Sequence, residues 1–274
     1  MSTINFKSVF RIVGLILIIS ASSFLLCIPV ALAYSEPVTP FLLAFVTSMV
    51  PGAILYLPFQ KSLYHKVTPR EGYLSVTLGW VALGLSGTLP YVFSGEIKGF
   101  VNMVFESVSG YTTTGGSILT NVEAVSRSIL FWRSLTHWIG GIGIILLVII
   151  ILPSLRVGGY HLFSMESSLK EKILPRTKSI ARAILMIYLG LTIAEVTLLT
   201  LGGMDLFDSI CHSFGTIATG GFSTRNTSIS GYSNYTQYII SLFMFLAATS
   251  YVVFYFFIKI FIFQPADVRR IADD

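Results

Sequence analysis

Two short stretches of this sequence place main-chain oxygens, rather than reactive side chains, where chemistry could happen. They read Tyr111-Thr112-Thr113-Thr114-Gly115-Gly116-Ser117 and Thr216-Ile217-Ala218-Thr219-Gly220-Gly221-Phe222. A partly dehydrated cation such as potassium needs a cage of oxygens at a nearly constant distance, and successive backbone carbonyls can supply rings of them. Glycine permits the backbone angles that aim carbonyls inward, and threonine adds a hydroxyl oxygen. One such loop alone would read as an ordinary turn. Two copies in equivalent surroundings favour a cation pathway, whose work is replacing a hydration shell and not a covalent reaction, so no enzyme activity is expected.

The segments before these loops are suited to the same task. Residues 99–110 and 204–215 are each 12 long, about 18 Å as helix at 1.5 Å per residue, which is too short to cross about 30 Å of hydrocarbon. Each carries polar groups: Asn102, Glu106 and Ser107 in one, Asp205, Asp208 and His212 in the other. Irregular backbone at membrane depth is tolerated only inside protein or beside water. Two re-entrant half-helices satisfy these constraints. A half-helix ending at Gly110 or Gly215 directs its partly negative C-terminal end at a cation; reversed, it would favour anions.

Sliding the chain by 105 residues superposes Gly110 on Gly215, Thr114 on Thr219, Gly115 on Gly220 and Gly116 on Gly221. The flanking apolar runs fall on one another as well. The repeating unit is span, half-helix, polar loop, span, used twice in the same orientation. Parallel units suit a pore with rotational pseudo-symmetry, whereas inverted repeats are common in secondary transporters. The divisions expected are 1–65, two leading transmembrane helices; 66–158, a first pore unit; 159–178, a cytoplasmic linker; and 179–274, a second pore unit.

Composition requires a membrane. Hydrophobic residues make up 54% of the 274, charged residues only 11%, and the mean hydropathy is +0.78. Soluble domains carry about 25% charged residues, so a soluble fold is excluded. Long apolar runs cover 12–33, 39–58, 72–93, 134–155, 184–201 and 239–263. The first, preceded by Lys7 and Arg11 and ending Ala31-Leu32-Ala33, also reads as a signal peptide, although it is longer than a usual signal core. With the N-terminus inside, 14 Lys and Arg lie in cytoplasmic segments and four outside, which satisfies the positive-inside rule. If 99–110 crossed, the basic loop after residue 155 would move outside, so that segment must enter and return. Cys27 and Cys211 form no CxxC pair and read as buried packing residues. The basic balance, +5 overall, sits between apolar runs and sets orientation rather than binding nucleic acid.

The residues now converge on a known family. Phe105 to Ser117 (FESVSGYTTTGGS), Trp132 to Gly143 (WRSLTHWIGGIG) and His212 to Arg225 (HSFGTIATGGFSTR) resemble the TrkH-type potassium uptake proteins of the Trk/Ktr/HKT superfamily, as do Glu171-Lys172-Ile173 and Pro175-Arg176. The resemblance implies an all-α polytopic membrane protein with two leading helices followed by tandem helix, pore helix, helix units with re-entrant filter loops. Four such units would surround one pore, of which two are present here. It implies ion-binding carbonyls at Thr113, Thr114, Ala218 and Thr219, with Thr112 and Ile217 at the inner edge and Gly115 and Gly220 as the central filter glycines. Potassium is then the transported ligand and no covalent cofactor is needed. Partners implied are the lipid bilayer, a second copy or a separate C-terminal half to complete the ring, and a cytosolic nucleotide-binding regulatory subunit. The expected location is the bacterial inner membrane, with several passes and both termini cytoplasmic. The rivals are a non-conducting structural or regulatory half-subunit or gene fragment, and a secondary transporter of another solute.

Other polar residues have plainer readings. Glu195, within a span, is expected to hold the neighbouring loop by a hydrogen bond, with an ion or proton relay as the alternative. Glu106 and Asp208 could concentrate cations or satisfy backbone amides. Arg133, His137 and Trp138 read as markers of the membrane interface. His137 and His212 lack the i, i+4 partner of a helical metal site. The run Gly140-Gly141-Ile142-Gly143 permits close helix approach. The weakly amphipathic stretch 161–172 reads as a headgroup helix or a docking surface for the regulator.

Overall fold

A computed structural model of the chain describes residues 4–64, 68–151 and 173–258. Among these residues there are helices and short 3-10 turns and no strands, so the all-α class expected from sequence is what forms. The helices are α1 (Phe6–Phe24), α2 (Ile28–Ala33), α3 (Thr39–Tyr56), α4 (Pro69–Ser86), α5 (Leu89–Ser94), α6 (Phe100–Tyr111), α7 (Arg127–Ile151), α8 (Ile173–Leu201), α9 (Leu206–Ile217), α10 (Asn234–Ala248) and α11 (Tyr251–Ile258).

Local chemistry sets many of their ends. Asn5 caps α1 by accepting from the Lys7 amide at 3.1 Å. Thr68 and Glu71 form a reciprocal capping box ahead of α4, with Pro69 at its first position, where a missing amide costs nothing. Asp205 and Ser233 cap α9 and α10. Pro29, just inside α2, cannot donate to a preceding turn, and a 3-10 turn over Leu25–Cys27 separates α1 from α2.

Among the described residues, four apolar helical stretches are long enough to span a membrane: Phe6–Ala33, Thr39–Gln60, Arg70–Ser94 and Ala181–Leu201. They match the first, second, third and fifth expected runs. The fourth, 134–155, lies on α7 up to Ile151, and its remainder falls outside the described residues. The sixth departs from expectation. The sequence reads as one run over 239–263, of which 259–263 lie outside the described residues, but α10 stops at Ala248, Thr249 turns extended (ψ 139°), and α11 begins at Tyr251. The half-helices α6 and α9 are each 12 residues, close to the expected 99–110 and 204–215.

The chain gathers into two compact units. The first holds the described residues up to Gly140 together with Gly220–Ser228; the second holds the described residues from Gly141 to Thr219 and from Ile229 onward. These units are drawn differently from the sequence divisions: the break falls inside α7, and the outer arm of the second loop joins the first unit.

In the first unit, α1 and α3 cross at glycine. A methyl group on Gly14 would lie 2.8 Å from the Gly52 carbonyl oxygen and 2.7 Å from the Tyr56 nitrogen. Small residues let backbones approach in lipid, where packing rather than water exclusion drives association. Hydroxyls link the neighbouring helices: Ser86 Oγ lies 2.8 Å from Ser20 Oγ and 2.9 Å from Ser48 Oγ. The segment that also read as a signal peptide is built into this unit, with Phe24 against Trp132 at a centroid distance of 4.7 Å. Trp132 in turn donates to the Gly87 carbonyl at 3.1 Å, satisfying a carbonyl at the α4–α5 break. Cys27 and Cys211 are both buried, as packing residues are.

In the second unit, α8 buries Ile184, Tyr188, Thr192, Glu195 and Leu199, a single face at spacings of three and four. Its other faces are apolar and open, with Met186 and Ile193 more than 60% exposed, as lipid contact requires.

Replacing Gly14 with valine should destabilise the protein by about 1–3 kcal/mol through overpacking, read as a lower apparent melting temperature in detergent. Gly190→Ala, where a methyl group meets nothing within 4 Å, should leave that temperature unchanged or raise it slightly.

Candidate functional site

The first loop grows directly out of α6. The Thr112, Thr113 and Thr114 amides donate back to the carbonyls of Val108, Gly110 and Ser109 at 2.9, 3.0 and 3.0 Å. These bonds close the last turn and satisfy carbonyls that a helix end leaves without partners. Thr113 (φ +54°) and Gly115 (φ +74°) are left-handed. Thr112 Oγ1 donates to the Val108 carbonyl at 2.7 Å and lies 2.8 Å from Thr114 Oγ1. The chain then turns back along the helix. Ser109 Oγ donates to the Gly116 carbonyl at 2.6 Å, and Ser117 Oγ and the Ile118 amide donate to Glu106 at 2.9 and 3.1 Å. Residues 116–118 thus run beside residues 106–109 in the opposite direction.

The second loop repeats this backbone in a different register. The Ala218 and Thr219 amides donate to Phe214 and Thr216 carbonyls at 3.3 and 2.9 Å, and Thr219 (φ +55°) and Gly221 (φ +93°) are left-handed. The matching pairs are Thr113 with Thr219 and Gly115 with Gly221, a separation of 106 and not 105. The half-helices agree, since they start at Phe100 and Leu206 and end at Tyr111 and Ile217. The slide by 105 aligned the identical Thr-Gly-Gly letters, but the position of the helix end decides which residue must adopt positive φ. Gly221, rather than Gly220, is therefore the backbone counterpart of Gly115. Gly220 stands where Thr114 does, and Ile217 is a last helical residue like Tyr111.

The two loops meet in the first unit. A methyl group on Gly115 would collide with the Gly220 carbonyl oxygen, and one on Gly220 would collide with the His137 imidazole. Gly220 is thus required by packing, Gly221 by its dihedral, and Gly115 by both. Gly140 fits against the Tyr111 carbonyl with no room for a side chain, the close approach expected of the Gly140–Gly143 run.

Behind the loops lies a buried ion pair. Arg133 Nε donates to Glu106 Oε1, with both side chains at most 4% exposed. Arg133 also donates through Nη1 to the Ser223 carbonyl at 2.9 Å and places its guanidinium 3.6 Å above the Phe222 ring. His137 packs on the same ring at 4.0 Å between centroids. The interface reading of Arg133 and His137 is therefore overturned: both are buried on the α7 face that supports the loops, and only Trp138 is partly exposed. Glu106 satisfies an amide and a hydroxyl instead of lining a funnel. Asp208 is buried and accepts from the Tyr232 hydroxyl at 2.7 Å.

In the second unit Glu195 is fully buried, and neither carboxylate oxygen has a hydrogen-bond partner among the described residues. Thr216, the first residue of the second loop, stands beside it. Tyr251 holds the same loop by donating to the Ile217 carbonyl at 3.1 Å. No group of three or more His, Cys, Asp or Glu among the described residues could hold a metal ion. The stretch 161–172 lies outside the described residues.

A family model described as "TrkH: Cation transport protein" matches residues 38–267. The chain belongs to the TrkH family. It is 38% identical over 253 residues to the Trk system potassium uptake protein TrkH of Escherichia coli (strain K12), covering 90% of this chain and 52% of that protein. Against TrkI of Halomonas elongata the identity is 40% over 194 residues, covering 70% of this chain and 39% of that protein. The crystal structure of the potassium transporter TrkH from Vibrio parahaemolyticus superposes with a TM-score of 0.82 at 34% identity, covering 95% of this chain and 53% of that one. The chain spans about half the length of these TrkH relatives.

Sequence reasoning missed the pairing of Glu106 with Arg133 in this TrkH-family chain, although a signal was present. An acid in one apolar segment and a base in another are each costly alone and stabilised together. Tyr251 carried no comparable signal, because a tyrosine in an apolar run reads as packing.

Arg133→Gln with Glu106 retained should cost about 3–5 kcal/mol, since a buried carboxylate loses its partner. The double variant E106Q/R133Q should recover part of that loss. Thermal unfolding of the purified variants checks both, and equal stability of the single and double variants would refute the assignment.

Proposed function

We propose that this chain supplies two walls of a potassium-selective filter in a membrane uptake protein. The observation that carries the reading is the main-chain contact between Gly115 and Gly220, made between two loops that each alternate left-handed with other backbone. Alternation of that kind turns successive peptide groups the same way, which suits a column of carbonyl oxygens facing an ion. The binding set is Thr112, Thr113, Thr114 and Gly115 with Ile217, Ala218, Thr219 and Gly220, to which the observed register adds Gly221. Thr112 and Ile217 lie at the inner edge. Relatives named as potassium uptake proteins support potassium as the cargo.

Two walls are half a ring. The remaining two come from a second copy of this chain or from a further half like that which completes the longer relatives. Unclosed, the polar half-helices would face lipid. The bilayer is the bacterial inner membrane, both termini are cytoplasmic as the basic loops require, and a cytosolic nucleotide-binding subunit regulates the flow through the linker at 159–178. A second reading is a half-subunit that conducts nothing by itself. Expressing the chain alone, and with a completing half, in a strain lacking potassium uptake separates the two. Growth at low potassium in neither case would refute the filter reading.

Gly115→Ala and Gly221→Ala should each reduce the preference for potassium over sodium by about tenfold, because a Cβ in the left-handed region costs about 1–2 kcal/mol. Gly220→Ala should act through His137, so adding His137→Ala should restore preference to G220A and leave G221A impaired. Ion-competition uptake reads the result, and rescue of G221A would refute the register.

A further inference from the structure

The interruption of the last described span has no sequence breaker. Ala247-Ala248-Thr249-Ser250-Tyr251 contains neither proline nor glycine, the usual causes of a sharp helix break. In hydrocarbon, freed backbone groups must be satisfied inside the protein. Thr249 does part of this, its hydroxyl donating to the Phe245 carbonyl at 3.0 Å. α11 restarts with the Val253 amide bonded to the Ser250 carbonyl at 2.9 Å.

The break delivers Tyr251 to the end of the second half-helix. Its hydroxyl donates to the carbonyl of Ile217, the last residue of α9, at 3.1 Å. Its ring packs against Tyr188 of α8 at 5.8 Å. The destination of that hydroxyl proton is informative, because a fully buried acid, Glu195, lies within electrostatic reach of Tyr251 and has no hydrogen-bond partner among the described residues. The Thr216 hydroxyl, with the Glu195 carboxyl group beside it, donates to the His212 carbonyl at 2.9 Å. Both hydroxyls serve α9 carbonyls. In the first loop the corresponding carbonyl, of Tyr111, is held differently, by the close approach of Gly140. The same orphan carbonyl of a half-helix end is therefore secured by shape in one loop and by a donated hydrogen bond in the other.

We propose that Tyr251 is a positioning residue of the second filter loop. Its hydroxyl ties the Ile217 carbonyl, at the filter's inner edge, to α11, so that ion preference depends on how the last span is broken. This rests on the filter reading above.

The test uses competitive uptake of potassium and sodium by the complete transporter in a strain lacking potassium uptake. Tyr251→Phe removes one donor, and the preference for potassium should fall by about two- to tenfold. The KM for external potassium should stay within about twofold, since the outer filter is untouched. To keep ring and bulk constant, Tyr251→4-aminophenylalanine restores an N–H donor and should restore the preference, whereas Tyr251→4-methylphenylalanine should not. Equal preference in those two variants, or a wild-type preference in Y251F, would overturn the assignment. Absence of potassium preference in the wild type would instead overturn the filter reading itself.

Discussion

The arrangement of the loops depends on one buried ion pair, Glu106 with Arg133. Both side chains are almost wholly withdrawn from solvent, where either charge alone would be prohibitive. Together they use their remaining capacity on main chain. Glu106 receives the Ile118 amide and the Ser117 hydroxyl, and Arg133 serves the Ser223 carbonyl while lying on Phe222. The outer arms of both loops are thus pinned to a single charge pair within one compact unit. It also explains why α7 carries Arg133 within its apolar length.

With the outer arms held, the inner geometry becomes a matter of close approach. Gly115 against the Gly220 carbonyl, Gly220 against His137, and Gly140 against the Tyr111 carbonyl each leave no space for a Cβ. Side chains are excluded so that main chain can meet main chain, and selectivity built from carbonyl oxygens needs that kind of exclusion. The neighbouring helices α4 and α7 contribute by buttressing. Ser107 of α6 donates to the Gly84 carbonyl at 2.8 Å, and Tyr111 packs edge-on against Trp132. The second loop's inner end has its own support in Tyr251, whose place was open because the last span breaks.

The sequence by itself determined the solvent and the class. Eleven per cent charge and runs of apolar residues require lipid and helices, because only helices or closed barrels satisfy their own backbone there. The two 12-residue polar segments followed by Gly/Thr loops were legible as half-helices for the same reason, and their ends were placed within two residues. Tertiary structure alone decided the loop register, the pairing of Glu106 with Arg133, the burial of His137 and Glu195, and the break before Tyr251. Letters can be aligned by identity, but positive φ is assigned by where a helix ends and by what stands beside it. A charge finds its partner, and a hydroxyl chooses its acceptor, across tens of residues of chain. Those choices are settled by distances that no local pattern encodes.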